Sequence, residues 1–349
     1  MSKKSEFRHG SPVRSLLRPA EGPGTLRGVN GPSASPEAAS TQVARRLVTN
    51  VGRALAGKEA VAELAVVCLL ARGHLLVEDV PGVGKTTLAR SLARSLGLEF
   101  RRVQFTSDLM PTDVLGGNVY DPRSATFHFR AGPVFTDVLL ADEVNRATPR
   151  TQSALLEAME ERQVSIDGET HALRDAFFVI ATQNPQDFHG TYPLPESQLD
   201  RFLLRIEIGY PPREVERRVL AQRRGEDPVK ALAPVVTADE LLAAQRAIDD
   251  VRVADPVLDY LHAVVLETRS NDLLEYGAST RAALAIERAV RARAVVRGRV
   301  HAEPDDVKAL AIAGLAHRVR PRASRDGRDD RLDALRAMRS ILERVPVPL

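Results

Sequence analysis

The residues best suited to chemistry lie in Leu75-Leu76-Val77-Glu78-Asp79-Val80-Pro81-Gly82-Val83-Gly84-Lys85-Thr86-Thr87. An apolar run enters a turn of small residues, and Gly-Lys-Thr then opens a helical pattern, Leu88-Ala89-Arg90-Ser91-Leu92-Ala93. This order reads as strand, phosphate loop and helix. Gly82 and Gly84 let successive backbone N–H groups converge on an anion at the positive end of the helix. Lys85 would reach the β- and γ-phosphates of ATP, and the Thr86 hydroxyl would hold Mg2+. The usual pattern carries a glycine where Asp79 stands, so the loop needs support from elsewhere in the chain.

That support comes from polar residues at strand ends. Val138-Leu139-Leu140-Ala141-Asp142-Glu143 reads as a buried strand ending in two acids. Asp142 could hold Mg2+, and Glu143 could orient or deprotonate an attacking water. Without the phosphate loop, the same pair would read as solvated acids before a helix N-terminus. Asn184 follows the apolar run Phe177-Phe178-Val179-Ile180-Ala181-Thr182 and could contact the γ-phosphate, although Asn-Pro is also an ordinary turn. Arg201 and Arg281 each offer a planar, permanently charged fork for phosphate oxygens. Arginine is abundant here, so residue type alone singles out neither.

These groups need a scaffold. Strands alternating with helices, several of them apolar throughout, predict a three-layer α/β/α parallel sheet. Glu99–Phe105 alternates like a strand, and two hairpins are expected at residues 117–130 and 163–173, the second turning at Asp167-Gly168. Residues 1–41, rich in Ser, Pro, Gly and Arg, read as a disordered tail. The nucleotide-binding α/β domain spans 42–210. Beyond Tyr210 the pattern turns to amphipathic helices, so 211–349 reads as a small all-helical domain; Thr237 with Glu240 forms a capping-box signal there.

Composition narrows the function classes. At 44% hydrophobic, 349 residues can bury a large core, and a net charge of +3 calls for no polyelectrolyte partner. The single cysteine, Cys68, fits a reducing cytoplasm and sits in an apolar run as a structural thiol. No apolar stretch reaches the ~20 residues of a membrane helix. Absence of Trp argues against stacking-based nucleic-acid binding. The eight histidines show no zinc-type spacing, so no metal beyond nucleotide-bound Mg2+ is expected.

Together the motifs resemble the AAA+ ATPases and, within them, the MoxR family. The resemblance rests on residues 78–86, on Leu140-Ala141-Asp142-Glu143-Val144-Asn145-Arg146-Ala147, and on Gln152-Ser153-Ala154-Leu155-Leu156-Glu157-Ala158-Met159-Glu160-Glu161. It continues through Ala181-Thr182-Gln183-Asn184-Pro185, Gly190–Glu196 and Gln198-Leu199-Asp200-Arg201-Phe202. Asp79 is usual in that family's loop. The resemblance implies an AAA+ module followed by a helical lid. Lys85 and Thr86 then match the Walker A residues, Asp142 and Glu143 Walker B, Asn184 sensor 1 and Arg281 sensor 2. Arg201 matches the arginine finger that acts on a neighbour's ATP, which implies a homo-oligomeric ring, a hexamer. The two hairpins match the helix-2 and pre-sensor-1 inserts.

The implied function is ATP-driven, chaperone-like remodelling of a partner protein, of the kind associated with von Willebrand factor A domains. A DNA-acting motor is an alternative, supported by Arg288, Arg291, Arg293, Arg297 and Arg299. A nucleotide-gated scaffold with little hydrolysis is another, opposed by the presence of Asp142, Glu143 and Arg201.

Overall fold

Apolar runs with no polar face fold into the middle of a parallel sheet, because helices cover both sides of it. The computed structural model describes residues 36–184, 190–221, 227–322 and 330–348. In chain order its strands are β1 (Leu75–Glu78), β2 (Phe100–Gln104), β3 (Gly116–Asp121), β4 (Thr126–Ala131), β5 (Val138–Asp142), β6 (Gln163–Ile166), β7 (Glu169–Ala172), β8 (Phe178–Gln183), β9 (Leu204–Ile206), β10 (Leu274–Tyr276) and β11 (Arg320–Pro321). The helices are α1 (Pro36–Ala54), α2 (Glu59–Leu70), α3 (Lys85–Leu96), α4 (Pro111–Leu115), α5 (Pro149–Glu161), α6 (Glu196–Leu199), α7 (Arg213–Ala221), α8 (Ala238–Ala247), α9 (Asp255–Ser270), α10 (Thr280–Val296), α11 (Pro304–Leu315) and α12 (Asp330–Arg344).

The main sheet has the order β2-β5-β8-β1-β9, and every pairing in it is parallel. Side chains alternate between two hydrophobic clusters, one on each face. Leu75, Val77, Val138, Leu140, Phe178 and Ile180 belong to one; Leu76, Leu139, Ala141, Val179 and Ala181 belong to the other. That alternation is the period-two geometry of strands buried on both sides. The edge strand β2 is largely exposed and carries Arg101, Arg102 and Gln104, charged and polar residues that suit an open edge.

Residues 36–41, read from sequence as the end of a tail, belong to α1, where Ser40 is buried with Val43 and Leu47 against the core. The remainder of that tail lies outside the described residues. The first core cluster runs on from α1 and the sheet into α10, α11 and α12, through Ile286, Leu310 and Met338. The helical C-terminal part also carries an antiparallel ladder between β10 and β11, short strands that lack any pattern of their own. The β6–β7 hairpin turns at Asp167 and Gly168, with φ of 51° and 86°, the left-handed pair that Asp-Gly favours. It meets the β3–β4 hairpin through an Asn118–Asp167 hydrogen bond of 2.7 Å and a Phe129–His171 stack.

Two imidazoles in this frame are neutral. His74, just before β1, accepts from the Val179 N–H at Nδ1 (3.0 Å), so the proton sits on Nε2 and is donated to the Met159 carbonyl (3.1 Å). Burial pushes its pKa down to about 3. Burial likewise holds His317 well below the ordinary range. Each folded-state value lies below the unfolded one, so protonation favours the unfolded chain. The stabilisation is complete above about pH 6.5 and is lost as pH falls from there. The unfolding free energy from denaturant titrations should therefore drop between about pH 6.5 and pH 5, by about 2 kcal/mol for His74 alone at pH 5. A His74→Gln variant should show a shallower drop; an unchanged slope would contradict the neutral assignment.

Candidate functional site

The parallel order puts the carboxyl ends of β1, β5 and β8 along one edge, since Glu78 lies opposite Gln183 and Ala141 opposite Ala181. Ligands of open α/β sheets bind along that edge. A cavity of about 380 Å³ opens there, lined by Pro81, Gly82, Gly84, Lys85, Thr86, Thr87, Arg102, Asp142, Glu143 and Asn184. Elements far apart in the chain thus bring together all the expected residues except Asp79, Val80, Val83, Arg201 and Arg281.

The loop is built by its own residues. Gly82 and Gly84 have φ of 85° and 107°, a region that a side chain disfavours, and Gly84 caps α3. The Asp79 carboxylate is turned away from the cavity. It accepts from the backbone N–H of Val80 (2.8 Å), Ile208 (2.8 Å) and Gly209 (2.6 Å), tying the loop to the segment after β9. Val83 packs against the first core cluster. Asp79 therefore shapes the loop, while Lys85 and Thr86 at the α3 N-terminus face the cavity. Lys85 Nζ donates to the carbonyls of Asp79 and Gln183. Partial burial lowers its pKa, opposed by the charges of Asp79, Asp142, Glu143 and Glu78.

Each of the two acids has a partner that the sequence reading did not anticipate. Asp142 Oδ1 accepts from the Thr182 hydroxyl (2.5 Å), and the same oxygen of Thr182 accepts from the Glu143 N–H (2.9 Å). Thr182 is fully buried in β8 and so fixes both acids to the central strand. Asp142 Oδ2 accepts from Arg102 at 2.6 Å. The β2–β5 register sets Gln104 opposite Asp142, which leaves Arg102 as its diagonal neighbour on the same face; this follows only once the two strands are known to pair. Glu143 has a left-handed backbone (φ 59°) and pairs with Arg146 Nε at 2.8 Å across a single 3-10 turn. Arg146, a motif residue without an evident role in the sequence, thus neutralises the second acid. Buried Gln152 holds this turn by donating to the carbonyls of Val144, Ala147 and Tyr192. Thr148 caps α5 and Pro149 takes its first turn, so the helix begins before the expected Gln152.

The loop, both acids and Asn184 provide cation and N–H donors for phosphates beside carboxylates for a divalent metal. Those groups fit Mg2+-nucleotide: Lys85 and the loop N–H groups would hold phosphates, and Thr86 with Asp142 the metal.

Arg201 and Arg281 lie elsewhere. Arg201 precedes β9 at the amino end of the sheet, where the Leu203 N–H donates to the His74 carbonyl (2.8 Å). Arg281 stands in the first turn of α10, capped by Ser279. Together with Arg72, Arg162, Arg288 and Arg318 they line a second cavity of about 370 Å³, which shares no lining residue with the first. Arg201 Nε and Arg281 Nη2 both pair with Glu160, each at 2.9 Å. The segment that carries Arg201 is pinned by Arg318, which pairs with Asp200 (2.9 Å) and donates to the carbonyls of Asp200 and Phe202. Burial lowers the Arg318 pKa to about 10. Glu160 lies within a motif of the family resemblance that assigns it no role; Arg318 has no sequence signal.

The arginine-rich run along α10 and just after it is neutralised within the chain. Arg288 meets Asp249 (3.5 Å), Arg291 Glu287 (2.5 Å), Arg293 Asp306 (2.5 Å), Arg297 Glu63 (2.9 Å) and Arg299 Asp306 (2.7 Å). It is not an open basic stripe.

Comparison with known proteins assigns the chain to a family. The family model described as ATPase family associated with various cellular activities (AAA) matches residues 74–204, and the AAA lid domain model matches 266–335. Uncharacterized protein YeaC of Bacillus subtilis is 43% identical over 306 residues, covering 87% of this chain and 94% of that protein. Chaperone MoxR1 of Mycobacterium tuberculosis is 43% identical over 291 residues, 81% of this chain and 77% of that one. A crystal structure from Cytophaga hutchinsonii, of a protein provisionally designated an ATPase, has 33% identity, covers 90% of this chain and 97% of its own, and superposes with a TM-score of 0.81. Likeness that extends over both the sheet and the helices bearing Arg281 makes this chain a member of the MoxR family of AAA+ ATPases.

Proposed function

We propose that this chain is an Mg2+-dependent ATPase that works as a hexameric ring and remodels or matures a partner protein in the cytoplasm. Its site is completed by Arg201 and Arg281 of the adjacent subunit. The observation that carries this reading is the separation of the two clusters. β1 alone, with four residues at about 3.3 Å each, puts about 13 Å between the phosphate loop and the amino edge of the sheet. The family resemblance matches Arg281 to sensor 2 on the lid. Its pairing with Glu160 beside Arg201 supports a shared role for both arginines toward a neighbour.

The chain's residues divide the work. Lys85 and the N–H groups of residues 82–86 bind phosphate oxygens at the α3 N-terminus. Mg2+ bound by Thr86 and Asp142 would neutralise charge on the transferred phosphoryl group. Glu143, once parted from Arg146, accepts the proton of the attacking water, which Asn184 orients. The neighbour's guanidinium groups stabilise the charge of the transition state. The chaperone name of the Mycobacterium relative supports a protein client, and the family resemblance suggests one with a von Willebrand factor A domain. The division at about residue 210 is a functional one, with 211–349 as a lid that shares a hydrophobic cluster with 42–210.

Lys85→Ala should abolish nucleotide binding in equilibrium titrations, whereas Glu143→Gln should bind ATP normally and turn it over at least about 100-fold more slowly. Asp79→Ala leaves three backbone donors without their carboxylate. It should cost about 2 kcal/mol of stability and weaken nucleotide binding, seen as a lower Tm and a raised Kd. For the shared site, Arg201→Ala and Glu143→Gln subunits, each inactive alone, should regain hydrolysis when mixed, because mixed junctions contain one intact acid and one intact arginine. Mixtures that stay inactive would exclude a site built from two subunits.

A further inference from the structure

We infer that Glu160 is a positioning residue that sets the two arginines for the neighbouring subunit. The inference rests on the proposed action of Arg201 and Arg281 in trans. Both carboxylate oxygens are in use: Oε2 pairs with Arg201 Nε and Oε1 with Arg281 Nη2, each at 2.9 Å. The partners come from unrelated elements, the loop before β9 and the first turn of α10, so a single carboxylate fixes their spacing. It does so inside a cluster that also holds Arg72, Arg162, Arg288 and Arg318, where like charges would otherwise drive two long side chains apart. Burial, with the charges of Arg72 and Arg288, lowers the pKa of Arg162 in the same cluster.

The mode of pairing matters. Glu160 takes Arg201 by Nε, the inner nitrogen of the fork, at 2.9 Å, and a phosphate is met head-on by the terminal Nη groups. Glu160 is also the penultimate residue of α5, whose other end comes just after the 3-10 turn that carries Arg146 next to Glu143. The helix has 13 residues and is about 20 Å long. One rigid rod thus joins the acid of a subunit's own site to the arginines it presents to the next, so movement at Glu143 can reach the adjacent site.

The test places Glu160→Gln on one side of a junction at a time. In the mixture of Arg201→Ala and Glu143→Gln subunits, only the Glu143→Gln chain donates arginines to a competent junction. Adding Glu160→Gln to that chain should lower the recovered kcat by about 10-fold to 100-fold, with KM and ring mass unchanged. Adding it to the Arg201→Ala chain, which holds the ATP, should leave the recovered rate within about two-fold. Equal losses from both placements would assign Glu160 to general packing, and no loss from either would leave it without a role; both results overturn the inference. Absence of recovery in the parent mixture would instead overturn the shared-site reading itself.

Discussion

The constraint on which the functional account depends is the polarity of the parallel sheet. Every strand in β2-β5-β8-β1-β9 points the same way, so residues just after a strand and residues just before one collect at opposite edges. The phosphate loop, Asp142, Glu143 and Asn184 stand at carboxyl ends of strands; Arg201 precedes a strand, and Arg281 is drawn to it by Glu160. On the proposed function the two clusters are halves of one phosphate-transfer site, and assembly with a second chain would unite them.

Within the carboxyl-edge half, the acids are compensated by arginines of the same chain. Asp142 is shared by Thr182 and Arg102, and Glu143 pairs with Arg146. On the proposed function a divalent cation held by Asp142 would meet the Arg102 pair there, and Glu143 would serve as a base only after leaving Arg146. Both pairs have a half-exposed arginine, where ion pairs are individually weak, so a strongly charged ligand could re-sort them. The left-handed backbone of Glu143 and the Gln152 hydrogen bonds keep the turn itself in place meanwhile.

What could be read from the sequence depends on the range of the interactions. The phosphate loop, the apolar strands β5 and β8 and the Asp-Gly hairpin are local patterns, and each is legible without a structure. Asp79 is legible as an oddity in the loop, but its role is not, because its partners Ile208 and Gly209 come after a strand far along the chain. The same holds for Arg102, which faces Asp142 only through the pairing of β2 with β5, and for Glu160, which joins two arginines from distant elements. The ladder of β10 and β11 escapes sequence reading because strands of three and two residues have no periodicity to detect.

The most direct measurement is an experimental structure of the assembled protein with a non-hydrolysable ATP analogue. A guanidinium of Arg201 from one subunit should lie within hydrogen-bond distance of the γ-phosphate held by Lys85 of another. An assembly in which that phosphate meets only residues of its own chain, with Arg201 turned away from every nucleotide, would contradict a site shared between subunits.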